Sequence, residues 1–224
     1  PFTDQEYALD ALGDKRSKYY GSYCSIYDEP QQPSGSKGSA KNKPKTEEPG
    51  DETVNFDDVP SEHWAAEAVG YVIANNLFMG TTTTAFEPET AMNRAMLVTV
   101  LYRLAGEPNI EDEIWGYPFA DVNAEAYYGA AVYWARMNGI VKGYSDTQFA
   151  PDDKVTREQM AAILYRYAEF KGYDVSGTAD LSSFVDSDKI SPYAADNMKW
   201  AKAAGLMNGR TSTTLAPQGD STRA

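Results

Sequence analysis

The sequence predicts an all-α fold in which helix–loop–helix repeats are arranged with pseudo-threefold symmetry around a central helical bundle. The first observation is that residues 56–224 contain one pattern three times, and internal repetition is typical of repeat architectures. The second is that helix-capping residues recur at equal spacing in the copies. The third is that apolar residues follow the helical period of 3.6 residues. Two copies are complete, and the third ends at Ala224.

Composition limits the class of function. The chain has 224 residues, 42% of them hydrophobic, and a net charge of −13, which argues against nucleic acid as a partner because phosphate binding needs a basic face. One cysteine, Cys24, precludes an internal disulfide. No apolar run approaches the roughly 18 residues that span a bilayer, so we expect no membrane insertion. Since the chain starts without Met and ends inside a motif, we expect a fragment of a longer protein.

Two segments precede the repeats. Residues 1–30 carry a capping box at Thr3-Asp4-Gln5-Glu6, which predicts a short helix ending near Gly13. A tyrosine-rich stretch follows, either a strand or the end of an upstream domain. Residues 31–54 are dominated by Pro, Gly, Ser, Lys and Glu, a composition that predicts a flexible linker because it cannot bury enough surface to offset chain entropy.

The first helix of each copy is predicted from its caps. Ser61, Asn123 and Ser191 are suitable N-cap residues, and Pro192 then falls at its favoured first helical position. Seven residues separate two aromatic positions on one helix face. These are Trp64 and Tyr71, Tyr127 and Trp134, and Tyr193 and Trp200. The helices are predicted to stop at residues that tolerate a left-handed C′ conformation, namely Asn76, Gly139 and Gly205.

A loop rich in Thr and Ser leads to the second helix. In each copy 14 positions separate a loop glycine from an arginine, with an aromatic or Leu, then x, then Pro between them. The glycines are Gly80, Gly143 and Gly209, and the arginines are Arg94, Arg157 and Arg223. Asn93, Thr156 and Thr222 are predicted N-caps, and Gln159 completes a capping box with Thr156.

The second helices carry the predicted core. Apolar stripes recur at i, i+3, i+4 and i+7. They are Val98, Leu101, Tyr102 and Ala105 in one copy, and Ala161, Leu164, Tyr165 and Ala168 in the next. One unit cannot close its own core, so we expect three units to share one. The third stripe is expected beyond Ala224, although the N-terminal helix could fill its place.

These features together resemble the S-layer homology family. Its repeat has an aromatic-x-Asp start, as at Phe56, Phe119 and Phe184, an aromatic helix, a glycine-bounded loop ending near Phe-x-Pro, and a Thr-Arg-Ala-Glu helix start. The resemblance divides residues 55–224 into repeats spanning 55–106, 107–172 and 173–224, the last incomplete. It implies a pseudo-trimeric domain that anchors exported proteins non-covalently to an anionic, often pyruvylated, secondary cell-wall polysaccharide at the Gram-positive surface or S-layer.

The motif departs from the family pattern in this chain. Asn93 replaces Thr in the first copy, which also lacks the Glu, and Gln159 replaces Glu in the second. The resemblance implies that the polysaccharide binds in grooves between repeats, and these departures predict that one or more of the grooves is weakened or purely structural.

The three motif arginines are the first candidate ligand-binding residues. Arg94, Arg157 and Arg223 follow a helix cap, where a cation opposes the helix dipole at a cost of some tenths of a kcal/mol. A guanidinium beside free backbone donors suits a carboxylate such as a pyruvyl ketal. The alternative is an ion pair with an aspartate of a neighbouring unit.

Nine further residues complete the candidate site, each with a structural alternative. Asp58, Asp121 and Asp186 could accept hydrogen bonds from a sugar, or could cap the turn into the first helix or orient the arginines. Trp64, Tyr127 and Tyr193 could form a platform for a sugar face, or could be core. Gly80, Gly143 and Gly209 could offer backbone donors, or could be required only for positive φ. Tyr71, Trp134 and Trp200 are interpreted as core.

The predicted function is cell-wall anchoring rather than catalysis. One histidine, His63, and one cysteine preclude most nucleophile–base triads in this chain. No calcium-loop spacing accompanies the acidic pairs, so neither metal nor cofactor is predicted. Two alternatives remain open. One is a lattice-forming or protein-interaction module capable of self-association, and the other is the accessory part of a glycan-processing enzyme.

Overall fold

A computed structural model describes residues 56–110 and 119–224. The predicted short helix and tyrosine-rich stretch of residues 1–30, Cys24 and the linker over 31–54 lie outside the described residues. Within the described residues there are five α-helices, and the only β pairing is isolated bridges. The helices are α1 (Ala66–Ala74), α2 (Arg94–Leu104), α3 (Gly129–Met137), α4 (Arg157–Lys171) and α5 (Ala195–Ala203). The all-α class is therefore confirmed.

The first helix of each copy starts later than predicted. Helices α1, α3 and α5 begin four to six residues after Ser61, Asn123 and Ser191, and their N-caps make no side-chain cap hydrogen bond. In the first copy the intervening residues form turns, with the N–H of Ala66 donating to the carbonyl of His63. His63 is consequently a turn residue, and its Nδ1 accepts the N–H of Ala65 at 3.2 Å. In the third copy Ser191 precedes a 3₁₀ turn, Pro192–Ala194, rather than α5 itself.

The caps of the second helices match the sequence prediction. The Asn93 side chain accepts the N–H of Met96, and Thr156 and Gln159 form both halves of a capping box. The predicted stop residues of the first helices, Asn76, Gly139 and Gly205, have φ of 54°, 71° and 73°. Local sequence therefore determines where α2 and α4 begin and where α1, α3 and α5 end.

The core is built between successive copies. Helix α2 packs against α3, and α4 packs against α5. The ring of Trp134 lies at a tilt against that of Tyr102 with centroids 5.5 Å apart, and Trp200 lies edge-on to Tyr165 at 5.3 Å. Both tryptophans are buried, as expected for core residues. The strongest packing thus joins a second helix to the first helix of the next copy, while a single central bundle of second helices stays a prediction.

Three loop glycines are required for close approach rather than for positive φ. Gly80, Gly143 and Gly209 are not among the positive-φ residues. A Cβ added at these positions would lie 2.5 to 2.7 Å from the ring of Phe56, Phe119 or Phe184, and equally close to loop carbonyls. The prediction that these glycines are needed to adopt a positive φ is therefore wrong. Each is needed because the phenylalanine at the start of its own copy packs directly against it.

Candidate functional site

Each motif arginine is hydrogen-bonded to the loop of another copy. Arg94 donates from Nε to the carbonyl of Phe149 at 2.8 Å and from Nη2 to the carbonyl of Lys142 at 3.0 Å. The other two arginines make the equivalent pair of contacts. Arg157 contacts the carbonyls of Leu215 and Asn208, and Arg223 contacts those of Phe86 and Met79. The predicted alternative of an ion pair with a neighbouring aspartate is replaced by bonds to main-chain carbonyls.

These contacts form a closed cycle, which we call the arginine framework. Arg94 reaches from the first copy to the second, Arg157 from the second to the third, and Arg223 from the third back to the first. Backbone bonds follow the same route, such as Arg94 N–H to Asp153 and Arg223 N–H to Thr90. These contacts link the three copies in a ring, while the pseudo-threefold arrangement of the copies stays a prediction.

Two of the framework arginines, Arg94 and Arg223, lie against aromatic rings. The guanidinium carbon of Arg94 lies 4.8 Å from the ring centroid of Tyr144 and 4.6 Å from that of Phe149. That of Arg223 lies 4.4 and 4.8 Å from Phe78 and Phe86. Burial lowers the pKa of Arg94, which is 4% exposed. Carbonyl oxygens and aromatic faces therefore take the place of water around a cation that remains charged.

The three candidate aspartates accept hydrogen bonds from the loop turn that carries the carbonyls bound by the arginines. Asp58 accepts the N–H groups of Phe86 and Glu87 at 2.9 and 2.6 Å. Asp121 and Asp186 do the same in their copies, binding Phe149 and Ala150, and Leu215 and Ala216. The second residue of each turn has a positive φ, at Glu87, Ala150 and Ala216. Each carboxylate thus has both oxygens on backbone donors within its own copy, a partner that the sequence alternatives did not include.

The hydrogen bonds also fix the charge of two of these carboxyls, Asp58 and Asp186. The N–H of Phe86 is the largest cause that lowers the pKa of Asp58, and the N–H of Leu215 has the same effect on Asp186. Ionised carboxylates accept such bonds better than protonated ones. The negative charge is therefore part of the turn.

The aromatic residues predicted on the first turn of each first helix precede that helix instead. They lie at the surface and form what we call the aromatic rim. Trp64, Tyr127 and Tyr193 are 71%, 49% and 54% exposed. The alternative prediction that these three residues belong to the core is therefore wrong. An exposed ring can present an apolar face to a ligand at little desolvation cost.

Two rim tyrosines mark the junctions between copies. At the first junction, between the first and second copies, burial and the negative charge of Asp152 raise the pKa of Tyr127, while Arg103 acts in the opposite direction. Arg223 lies within electrostatic reach of the same ring. At the second junction, between the second and third copies, the hydroxyl of Tyr193 donates to Glu158 at 3.0 Å, and the ring lies within electrostatic reach of Arg94 and Arg166. Each junction therefore sets an exposed ring in the field of two arginines and an acid, Asp152 at the first and Glu158 at the second.

Arg103 and Arg166 recur at equivalent positions, where sequence alone predicts surface or interhelix ion pairs. Arg103 does approach Glu107 at 3.9 Å, and it also donates to the carbonyl of Leu77. The signal that could have placed them at a site is their identical spacing, nine residues after Arg94 and Arg157. Glu158 was missed as well, and because neither other copy has an acid there, recurrence could not have revealed it.

The described residues contain no group of three or more His, Cys, Asp or Glu side chains placed to hold a metal ion. None of the helices in the same part of the chain is long and apolar enough to cross a membrane.

Comparison with known proteins identifies the repeat. The sequence profile of the S-layer homology domain matches residues 55–95, 118–161 and 183–224. An amylopullulanase from Thermoanaerobacterium thermosulfurigenes is 30% identical over 75% of this chain. The surface-layer 125 kDa protein of Lysinibacillus sphaericus is 31% identical over 71%, and a cellulosome-anchoring protein of Acetivibrio thermocellus is 27% identical over 52%.

The similarity covers a minor part of these relatives. The chain spans 9% of the length of the amylopullulanase, 13% of the surface-layer protein and 26% of the cellulosome-anchoring protein. What the four sequences have in common is therefore a module that occurs within larger proteins of different kinds.

Proposed function

Because the chain belongs to the S-layer homology domain family, we propose that its repeats anchor a protein non-covalently to the bacterial cell wall by binding a wall polysaccharide. The location we propose is the cell surface. The names of the relatives support this assignment, since they include a surface-layer protein and a cellulosome-anchoring protein. No covalent step and no cofactor is needed for such anchoring.

The observation that carries the proposal is the composition of the two junctions. The chain has a net charge of −13, yet at each junction two arginines act electrostatically on an exposed tyrosine. Local cations are required to hold an anion against an acidic background. The junctions are therefore the places where an anionic glycan would be held.

We propose that the glycan is pyruvylated. A guanidinium presents several N–H donors to a carboxylate in a fixed geometry. Framework arginines use Nε and Nη2 on carbonyls, while Arg103 and Arg166 come from the second helices to the same junctions. A ketal carboxylate would approach this pair, and the neighbouring sugar face would lie on the tyrosine ring.

The candidate residues divide into two roles in this proposal. Arg103, Arg166, Tyr127 and Tyr193 would contact the glycan directly. Arg94, Arg157, Arg223, the three aspartates and the three glycines would shape the junction, with any ligand contact confined to the outer edge of each guanidinium. Trp64 would serve an equivalent junction formed with the third copy.

We assign binding rather than catalysis to this chain. The enzyme among the relatives is matched over 9% of its length, so its activity gives no reason to expect turnover from these repeats. A lattice-forming role is separable from wall binding, because self-assembly would proceed without wall polymer.

The proposal is tested by isothermal titration with a synthetic pyruvylated disaccharide. The same disaccharide without the ketal is the ligand control. We expect binding of the first and at least tenfold weaker binding of the second, about the loss of one charge-assisted hydrogen bond. Equal affinity for both sugars would remove the anionic specificity from the proposal.

Site variants localise the binding. Tyr127→Ala and Arg103→Ala should weaken it, whereas Lys199→Ala, which also removes one positive charge but lies on α5 paired with Asp196, should not. Co-sedimentation with wall sacculi, before and after extraction of the wall polymer, extends the test to the native ligand. Sedimentation that persists after extraction would contradict polysaccharide anchoring.

A further inference from the structure

The sequence contains two Asn-Gly pairs, and the fold places them in different surroundings. Asn138 caps the C-terminal end of α3 and is followed by Gly139, whereas Asn208 and Gly209 lie in the loop after α5. An asparagine reacts most readily with the main chain when glycine follows it, because glycine has no side chain to hinder attack by its nitrogen. A methionine precedes the asparagine in both pairs, so the two pairs compare one chemistry in two environments.

The first pair is held by the last turn of α3. The N–H of Gly139 donates to the carbonyl of Arg136 at 3.1 Å, and the side-chain amide of Asn138 donates to the carbonyl of Trp134 at 2.8 Å. The nitrogen of Gly139 can attack the side-chain carbon of Asn138 only after these hydrogen bonds break, which costs free energy. The fold therefore protects Asn138.

The second pair is not held in this way. Within residues 56–110 and 119–224, no hydrogen bond is donated by the N–H of Gly209 or by the side-chain amide of Asn208. Asn208 is also exposed, so water reaches its side chain. The nitrogen that would attack and the group that would leave are therefore both free to move.

A lysine activates the side-chain amide of Asn208. Nζ of Lys202, on α5, donates to Oδ1 of Asn208 at 3.1 Å. Since an ammonium group only donates hydrogen bonds, it must meet the oxygen of the amide. A cation at this oxygen stabilises the negative charge that develops there when a nucleophile adds to the neighbouring carbon. Lys202 thus makes that carbon easier to attack.

A framework arginine activates the attacking nitrogen. Nη2 of Arg157 donates to the main-chain carbonyl of Asn208, and this carbonyl belongs to the same peptide group as the N–H of Gly209. A positive charge beside the peptide oxygen favours loss of the N–H proton, which makes the nitrogen nucleophilic. Met79 and Lys142 offer their carbonyls to an arginine in the same way. Only the third copy has asparagine at this position.

We propose that Asn208 is a site of spontaneous deamidation. The nitrogen of Gly209 loses its proton and bonds to the side-chain carbon of Asn208, the C–N bond to the side-chain nitrogen breaks, and ammonia leaves. The product is a cyclic succinimide. Water then adds to one of its two carbonyls and opens the ring to aspartate or isoaspartate. The sum of the two steps is hydrolysis of an amide, with no oxidation or reduction.

The two products differ in their effect on the fold. In isoaspartate the main chain runs through the side-chain carbon and is longer by one methylene. This extra length falls beside Gly209, where an added Cβ would lie 2.7 Å from the ring of Phe184, and it moves the carbonyl that Arg157 binds. Aspartate keeps the original main chain. Isoaspartate therefore weakens the arginine framework between the second and third copies, and aspartate does not.

Peptide mapping by mass spectrometry compares the two pairs in the same protein. The whole chain is incubated at mildly alkaline pH, and deamidation of each asparagine is followed with time. We expect Asn208 to react about tenfold faster than Asn138, whose hydrogen bonds must first break. In urea the two rates should become equal. Equal rates in the folded protein, or a difference that persists in urea, would overturn the inference.

Two lysines on α5 test the activation of the amide. Lys202→Ala should slow deamidation of Asn208 about threefold, because an exposed charge contributes only modestly. Lys199→Ala is the matched control, since Lys199 pairs with Asp196 and its loss should leave the rate unchanged. An unchanged or higher rate in Lys202→Ala would contradict the activation.

The products are tested through urea unfolding. Incubated wild-type protein should contain a fraction that unfolds at lower urea and accepts methyl groups from an isoaspartyl methyltransferase. Asn208→Gln, whose longer side chain closes the ring poorly, should not develop this fraction. Asn208→Asp supplies the aspartate product alone and should unfold like the fresh wild type. If Asn208→Asp is as unstable as the isoaspartate fraction, charge rather than the altered main chain causes the loss, and that part of the inference is wrong.

Discussion

The arginine framework and the aromatic rim both recur in every copy, but they lie in opposite environments. Framework groups grip main-chain carbonyls of another copy and are half-buried or buried. Rim residues are about half exposed or more. The comparison teaches that recurrence alone does not separate residues that build a junction from those that face its ligand.

Arg94→Ala should destabilise the domain by about 3 kcal/mol. The substitution leaves the carbonyls of Phe149 and Lys142 without their donor, and an unsatisfied buried polar group costs about 1–3 kcal/mol. Urea unfolding measures the change. Arg94→Lys keeps the charge but not the paired donors and should recover only part of the loss. A variant as stable as the wild type would remove Arg94 from the framework.

Asp186→Ala should destabilise by about 2 kcal/mol. Asp186 is buried, and both its oxygens accept backbone N–H groups at 2.8 Å, so the substitution strands two donors in a turn that contains a positive φ. Asp121→Ala is the matched control, because Asp121 makes the same bonds at an exposed position where water can replace them. Thermal unfolding of both variants should show the smaller loss for Asp121→Ala.

Acid should weaken the framework through these carboxyls. The pKa of Asp58 and that of Asp186 are lowered from the ordinary value of 3.8 in the folded protein, so the unfolded chain binds protons at higher pH than the folded one. Their stabilisation is complete above the unfolded pKa and is lost as the pH falls below about 4 through the folded pKa. Unfolding free energies measured from pH 2 to pH 6 should fall at the acidic end, less steeply for Asp186→Ala. Parallel curves for the two proteins would contradict the assignment.

Trp64→Ala should change stability by less than about 0.5 kcal/mol, because its side chain is 71% exposed and surface substitutions away from special features have effects of that size. The same unfolding measurement serves as the check. A loss comparable to that of Arg94→Ala would place Trp64 in the framework and break the comparison.

Local sequence predicted much of the fold. Thr156 with Gln159, Asn93, and the three left-handed stops were identified because caps are determined by a few neighbouring residues. The starts of α1, α3 and α5 were placed too early, since Ser61 and Asn123 are followed by turns whose geometry is not encoded in a cap preference.

The partners of the candidate residues could not be predicted. Arg223 donates to the carbonyl of Phe86, and the N–H of the same Phe86 donates to Asp58. Contacts between positions so far apart in sequence leave no signal in the hydrophobic periodicity. The glycines show the same limit. Their positions were correct, but the need for them comes from an aromatic ring more than twenty residues earlier in the chain.

The cyclic route of the framework has a mechanical consequence. The N–H groups of Arg223 and Ala224 bond to Thr90 and Pro88, and Arg223 also holds Met79 and Phe86. When tension is applied between residues 56 and 224, these contacts between the first and third copies bear the load. The rest of the chain between the two copies is not stretched until the contacts break. We expect a single force peak in stretching experiments, reduced by Arg223→Ala, rather than stepwise extension of one copy after another.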